Sequence, residues 1–205
     1  MPRVSNAAIA SVTVVALCSG VWLVHNGTAS HPPPQPSAAQ AGMDDARQQA
    51  APALRHSPPE RIRIPSIGVN APLMGLGLTP QGSLDVPPPG QTNLAGWYEA
   101  GTTPGERGTA VIAGHVDNAD GPAVFYHLGA LKKGGSIEVR RRDGGTALFT
   151  VDAVEVYDAR HFPDEKVYGA AARPELRVIT CGGGYSRTTG YQGNVVVFAH
   201  LTGSR

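Results

Sequence analysis

Cysteine is nearly absent from this chain: among 205 residues there are two, Cys18 and Cys181. That excludes the disulfide framework of a small secreted scaffold. Aromatic residues make up 6%, and no long stretch repeats apolar residues at helical spacing, which excludes a helical bundle or coiled coil. Charge is balanced, with a formal net value of +1, so nothing electrostatic favours a nucleic-acid partner. No two His or Cys residues stand at ligand spacing and the carboxylates are scattered, so neither a metal nor any other cofactor is expected. What the chain has instead is 26 Gly and 18 Pro, the punctuation of a loop-rich all-β domain.

Three regions differ in composition. Residues 1–24 contain the stretch Ala7 to Val24, uncharged for about 18 residues or about 27 Å as a helix, close to the thickness of one hydrocarbon core. It is expected to be an uncleaved membrane anchor, because Gly27-Thr28-Ala29 is a poor small-x-small cleavage site. Cys18 follows Leu17 where a lipid-attachment site needs a small residue, and Arg3 before the segment points to an exported C-terminal body. The expected location is therefore the cell membrane, crossed once, with the body outside. Residues 25–59, rich in Pro, Ala, Gln and Ser, are expected to form a disordered, extended linker reaching between about 30 and 100 Å. Residues 60–205 are the folded domain.

In that domain the apolar residues alternate. Arg61-Ile-Arg-Ile64 opens it, Ile67, Val69 and Leu73 continue after Pro65, and Ser83 to Val86 reads as a short strand. Ser136 to Arg142 and Thr146 to Tyr157 flank Asp143-Gly144, a strong hairpin turn. Leu176 to Cys181 and Asn194 to Leu201 are further strands. Short helices are expected near Ala123 to Leu131 and Asp164 to Ala172. Seven or eight strands in about 145 residues point to a closed barrel, since closure removes exposed edges.

Two strand-like runs end on reactive side chains: Thr109-Ala-Val-Ile-Ala-Gly-His115 and Leu176-Arg-Val-Ile-Thr-Cys181, each beside glycine. Cys181 has no disulfide partner in an exported domain, so it is a free thiol. Thiol and imidazole at two strand ends are the parts of a cysteine nucleophile with its acid/base. The bland alternative is a buried cysteine that packs as a small hydrophobe. The other histidines lack such a setting: His25, His31 and His56 lie in the linker, His127 and His161 have only aromatic or basic neighbours, and His200 is at the end of the last strand. An oxyanion also needs donors. Arg187 follows Cys181 across a glycine-rich loop, whereas Arg177 alternates onto the same face but lower in the sheet.

Several ordered blocks resemble the sortases, most closely class F sortases of actinobacteria: Arg63-Ile-Pro-Ser-Ile-Gly-Val69, Gly96-Trp-Tyr98, Pro104-Gly-Glu106, Val111-Ile-Ala-Gly-His-Val-Asp117, Gly121-Pro-Ala-Val-Phe125, Val178-Ile-Thr-Cys-Gly-Gly183 and Asn194-Val-Val-Val-Phe-Ala199. The resemblance covers nearly all of residues 60–203. It implies an eight-stranded sortase-type β-barrel with one or two short helices, and a Cys-His-Arg site with Cys181 as nucleophile, His115 as acid/base and Arg187 at the oxyanion. Arg187 is the choice by elimination, because Gln192 stands where the family's arginine is sought near the last strand. Gly135 also replaces an acidic turn residue common in relatives. Thr180 resembles the family's Thr-Cys pair and is expected to meet substrate. The segment from Tyr157 to Arg173, with Phe162 and Tyr168, is expected to wall the groove.

The implied reaction is cysteine transpeptidation. An LPxTG-like signal at the C-terminus of a surface protein is cleaved between Thr and Gly through a thioacyl enzyme, and an amine of a peptidoglycan precursor takes the acyl group. Papain-like enzymes place Cys before His, and the L,D-transpeptidases need a Ser-His-Gly-Cys cluster that this chain lacks. A membrane-anchored β-barrel binding module of the cell envelope, with a structural cysteine, is the alternative from a different class.

Overall fold

The computed structural model describes residues 32–43, 50–80, 82–186, 188 and 190–205. The expected membrane segment, Cys18 and Arg187 lie outside the described residues. Among the described residues no helix is long and apolar enough to cross a membrane. The compact unit from Pro33 to Arg205 contains the barrel.

Its strands are β1 (Pro59–Ile64), β2 (Val69–Leu76), β3 (Ala95–Tyr98), β4 (Gly108–Gly114), β5 (Asp117–Asn118), β6 (Gly121–Pro122), β7 (Ser136–Arg141), β8 (Thr146–Asp158), β9 (Pro174–Ser186) and β10 (Gly190–Ser204). Eight of them close into a barrel in the order β1-β2-β3-β4-β9-β10-β8-β7, while β5 and β6 pair separately. The closed barrel expected from the strand periods is thus present, with the eight strands that the resemblance implies. Most neighbours are antiparallel; β2 with β3 and β4 with β9 are parallel. Alternation explains the closure. Ile62, Ile64, Ile112, Phe149, Val178 and Leu201 point inward into one apolar core, which the eight barrel strands line by alternation.

The β7–β8 hairpin turns where the sequence placed it, with Gly144 N–H bonded to the Arg141 carbonyl at 3.0 Å. Helix is sparser than expected: a single-turn 3₁₀ segment at Leu128–Ala130 and a short helix α1 at Asp164–Tyr168. The strand expected over Ser83 to Val86 is reduced to one isolated bridge, Leu78 to Leu84. The prolines that follow at 87, 88 and 89 carry no N–H with which to continue a ladder.

The stretch expected to be a disordered linker touches the barrel at several points. Ala51 N–H donates to Leu201 O and Leu54 N–H to Gly105 O, each at 2.8 Å, and both side chains pack against the core. Farther upstream, Lys133 N–H donates to Gln40 Oε1 at 2.8 Å and Gly42 N–H to Glu155 Oε1 at 3.1 Å. Composition missed this because the stretch holds too few large apolar residues for a core of its own. Two small apolar side chains and a set of backbone hydrogen bonds are enough to lay it on an existing one.

Phe149 is 1% exposed at the barrel centre. Phe149→Ala is expected to lower stability by about 3–5 kcal/mol, read by equilibrium urea unfolding. A loss below about 1 kcal/mol would contradict a filled, closed core.

Candidate active site

β4 and β9 determine the site. They run parallel, with Val111 opposite Arg177, Ile112 opposite Val178 and Ala113 opposite Ile179. Continued by two residues, that register sets His115 beside Cys181. Inward-facing Thr180 makes the join firm: its buried hydroxyl donates to the Gly114 carbonyl at 2.8 Å. Thr180, expected to meet substrate, is thereby committed to holding the two strands together.

Val111 and Ile179 pack outside the barrel with Phe198, Val196 and Val167. By alternation His115 and Cys181 share that outer face. Cys181 is exposed and free, the opposite of a packed structural cysteine. It does not end its strand, as the sequence reading had it, since β9 continues to Ser186. The strand instead twists beyond it: Gly183 and Gly184 have φ of 75° and 97°, which side chains rarely adopt. The β9–β10 register also shifts between Tyr191 and Gly193.

His115 Nε2–H donates to the Pro87 carbonyl at 2.7 Å. A carbonyl only accepts, so Nε2 keeps its proton, and Nδ1 is the nitrogen left to exchange one with the site. The loop supplying Pro87 is held by Asn118, whose amide donates to Pro89 O at 2.8 Å. Two residues beyond Cys181, Gln35 Oε1 accepts from Gly183 N–H at 3.3 Å. The Pro34 carbonyl reaches so close to Gly129 that a Cβ there would lie 2.0 Å from it.

Sequence reasoning passed over Asp117 and Tyr191. The Tyr191 hydroxyl donates to Asp117 Oδ2. Burial pushes the Tyr191 phenol well above its ordinary range, helped by the Asp117 carboxylate. The Cys181 thiol is raised too, first by burial and then by the negative charge of Asp117. Although the thiol is open to solvent on one side, the packed strands around it deprive a thiolate of hydration. Asp117 was visible as part of the His115 block; only the fold shows that Tyr191, far along the chain, reaches it.

A cavity of ≈ 630 Å³ opens on the same outer face, lined by Leu84, Tyr98, Val111, Tyr168, Ala170 and Ala171 among others. Tyr168, Ala170 and Ala171, which line this cavity, belong to the segment expected to wall a groove leading to Cys181. Phe162 stands behind them, its ring 5.7 Å from Tyr168 and 5.8 Å from Tyr157. Lys166 of α1 ties this wall to β8 through Glu155 at 2.7 Å. Burial raises Glu155, but its bonds to Lys166, Tyr157 and Gly42 outweigh that and leave it below the usual carboxylate range. Neither His115 nor Cys181 lines the cavity; His115 lies about 13 Å farther along β4 from Val111 at ~3.3 Å per residue.

The remaining candidates are placed elsewhere. Arg177 is buried, paired with Glu175 at 2.7 Å and stacked over Phe198 at 4.6 Å. His200 is buried against Asp152 at 2.6 Å, and Gln192 is exposed on β10. Among the described residues no cluster of His, Cys, Asp and Glu is arranged to hold a metal.

No curated protein matches the chain. Solved structures share its fold. Sortase A of Listeria monocytogenes is 18% identical, with TM-score 0.54 over 73% of this chain and 90% of that one. The SrtA sortase of Actinomyces oris is 20% identical, with TM-score 0.55 over 78% and 89%. The sortase D5 transpeptidase of Clostridium perfringens is 21% identical, with TM-score 0.52 over 71% and 79%.

Alkylation of Cys181 by iodoacetamide is expected to titrate with a midpoint above the ~8.5 of an unperturbed thiol. Asp117→Asn is expected to move that midpoint down, because removing a negative charge favours the thiolate. A parent midpoint below about 8 would contradict the site described. The Sortase domain family matches residues 62–202, and the chain belongs to it.

Proposed function

We propose that the chain is a membrane-anchored cysteine transpeptidase that cleaves an LPxTG-like signal between Thr and Gly and transfers the acyl group to a cell-wall amine. The observation that carries this reading is the parallel β4–β9 register, which sets His115 beside an exposed, unpaired thiol. The ordered sequence blocks support the class F, actinobacterial type. The uncharged segment Ala7 to Val24 supports a single membrane crossing with the barrel outside.

In the first half-reaction the Cys181 thiolate attacks the Thr carbonyl. Arg187 and backbone N–H groups stabilise the oxyanion, Arg187 on the strength of its sequence position. Protonated His115 gives its proton to the departing glycine nitrogen through Nδ1, and a thioacyl enzyme remains. An extended peptide whose Thr carbonyl meets Cys181 carries the Leu of its signal about 10 Å back at ~3.3 Å per residue. Laid toward the start of β4, it brings the Leu toward Val111, the apolar cavity and the Tyr168 wall, which suit a Leu-Pro pair.

Incubation of the protein with an LPxTG-type peptide is expected to add the acyl fragment to its intact mass, and hydroxylamine to release a peptide hydroxamate. Cys181→Ala should abolish both, a loss of several orders of magnitude, and His115→Ala should slow them by about 10²–10⁴. Retention of acyl transfer by Cys181→Ala within about tenfold would overturn the assignment. A thiol that alkylates only on unfolding would favour a binding module instead.

A further inference from the structure

Along the outer face the site has a direction. The apolar cavity lies toward the start of β4, at Thr109 and Val111. His115 and Cys181 follow, and beyond them come Asp117, Tyr185 and Tyr191. The first side has the chemistry of an apolar peptide. The second is of another kind: a carboxylate with tyrosine rings.

Asp117 is half-buried and fixed. It stands in the small β5–β6 pair, opposite Pro122, and the Tyr191 hydroxyl holds its Oδ2. The chain leading to it is pinned on both sides of Val116, since Phe125 N–H donates to His115 O and Ala123 N–H to Val116 O, each at 3.0 Å. The Tyr191 ring meets Tyr185 edge-on, centroids 5.1 Å apart, and Tyr185 is 64% exposed. Among the described residues Asp117 makes no ion pair with Lys, Arg or His. A negative charge near the nucleophile disfavours the thiolate that the first half-reaction needs. A fixed carboxylate that has no cationic partner among the described residues, beside an open aromatic ring, is however suited to a cation supplied from outside.

We propose that Asp117, held by Tyr191 and flanked by Tyr185, seats the ammonium group of the acceptor amine in the second half-reaction. This deepens the transpeptidase reading and rests on it. The acceptor class is a primary amine that is cationic at neutral pH. Once it is seated beside the thioacyl enzyme, one of its protons passes to neutral His115 and its nitrogen attacks the thioester carbonyl. The C–N bond forms and the C–S bond breaks. A second proton goes from nitrogen to the departing sulfur, so the products are the new amide, the Cys181 thiol and the His115 imidazolium. Charge is balanced, because the ammonium's positive charge ends on the imidazolium.

The test is competition. The thioacyl enzyme, formed from an LPxTG-type peptide, is offered glycinamide, largely cationic at pH 7, together with hydroxylamine, which is largely neutral there. The readout is the ratio of amide to hydroxamate. Asp117→Asn is expected to lower that ratio at least tenfold, and Tyr191→Phe to lower it less. On the parent protein, raising salt should raise the KM for glycinamide and leave that for hydroxylamine unmoved, since screening acts on the charged pair alone. A ratio unchanged within twofold in Asp117→Asn would overturn the proposal, as would equal salt dependence for the two amines. Should the parent give neither product, the transpeptidase reading itself fails and the proposal with it. Hydroxamate formation by the parent with an unshifted ratio in the variant sinks the ammonium seat alone.

Discussion

The parallel pairing of β4 with β9 is the constraint on which the site depends. His115 and Cys181 are far apart in the chain and become neighbours because Ala113 lies opposite Ile179. A slip of one residue would turn one of them into the barrel. The Thr180–Gly114 hydrogen bond resists such a slip from inside. Alternation on both strands then puts apolar residues in the core and both reactive groups on the outside. Fold and chemistry are therefore set by one register.

Around that pair the surroundings divide the labour. Pro87 orients the imidazole from one loop, and the Lys166–Glu155 pair ties the α1 segment to β8 as the wall of the apolar cavity. Lys166 and Arg177 also lie over the Phe198 ring, at 5.3 and 4.6 Å, so the sheet beneath the wall is braced by cation–π contacts as well as by packing. On the far side Asp117, held by the Tyr191 hydroxyl, presents a carboxylate that suits a cation. Asp117 raises the thiol pKa and, on the reading proposed, attracts the amine that will release it.

Much of this was legible in the sequence because it is local. Period-two runs gave the strands and Asp143-Gly144 the hairpin, and the runs that carry His115 and Cys181 are adjacent strands of the barrel. Residues 157–173 were read as a wall, and Tyr168 lines the cavity. What stayed hidden depends on long-range placement. Thr180 looked like a substrate contact until its inward direction was known. Gln35 and Leu54 sat in a stretch too polar to announce that it lies on the barrel. Tyr191 looked like one more strand residue, and nothing local links it to Asp117. Arg187 lies outside the described residues, so its part remains argued from sequence position.

The central claim is that one outer face carries donor groove, reacting pair and acceptor seat in that order. The most direct measurement is a crystal structure of the protein with an LPxTG-type peptide trapped covalently on Cys181 through a thiol-reactive group replacing the scissile bond. The expected result is a peptide running back over Ile179 and Val111 toward Tyr168, with His115 Nδ1 within hydrogen-bond distance of the leaving position and Asp117 beyond it. A peptide lying the other way, across Tyr185 and Asp117, would contradict the account.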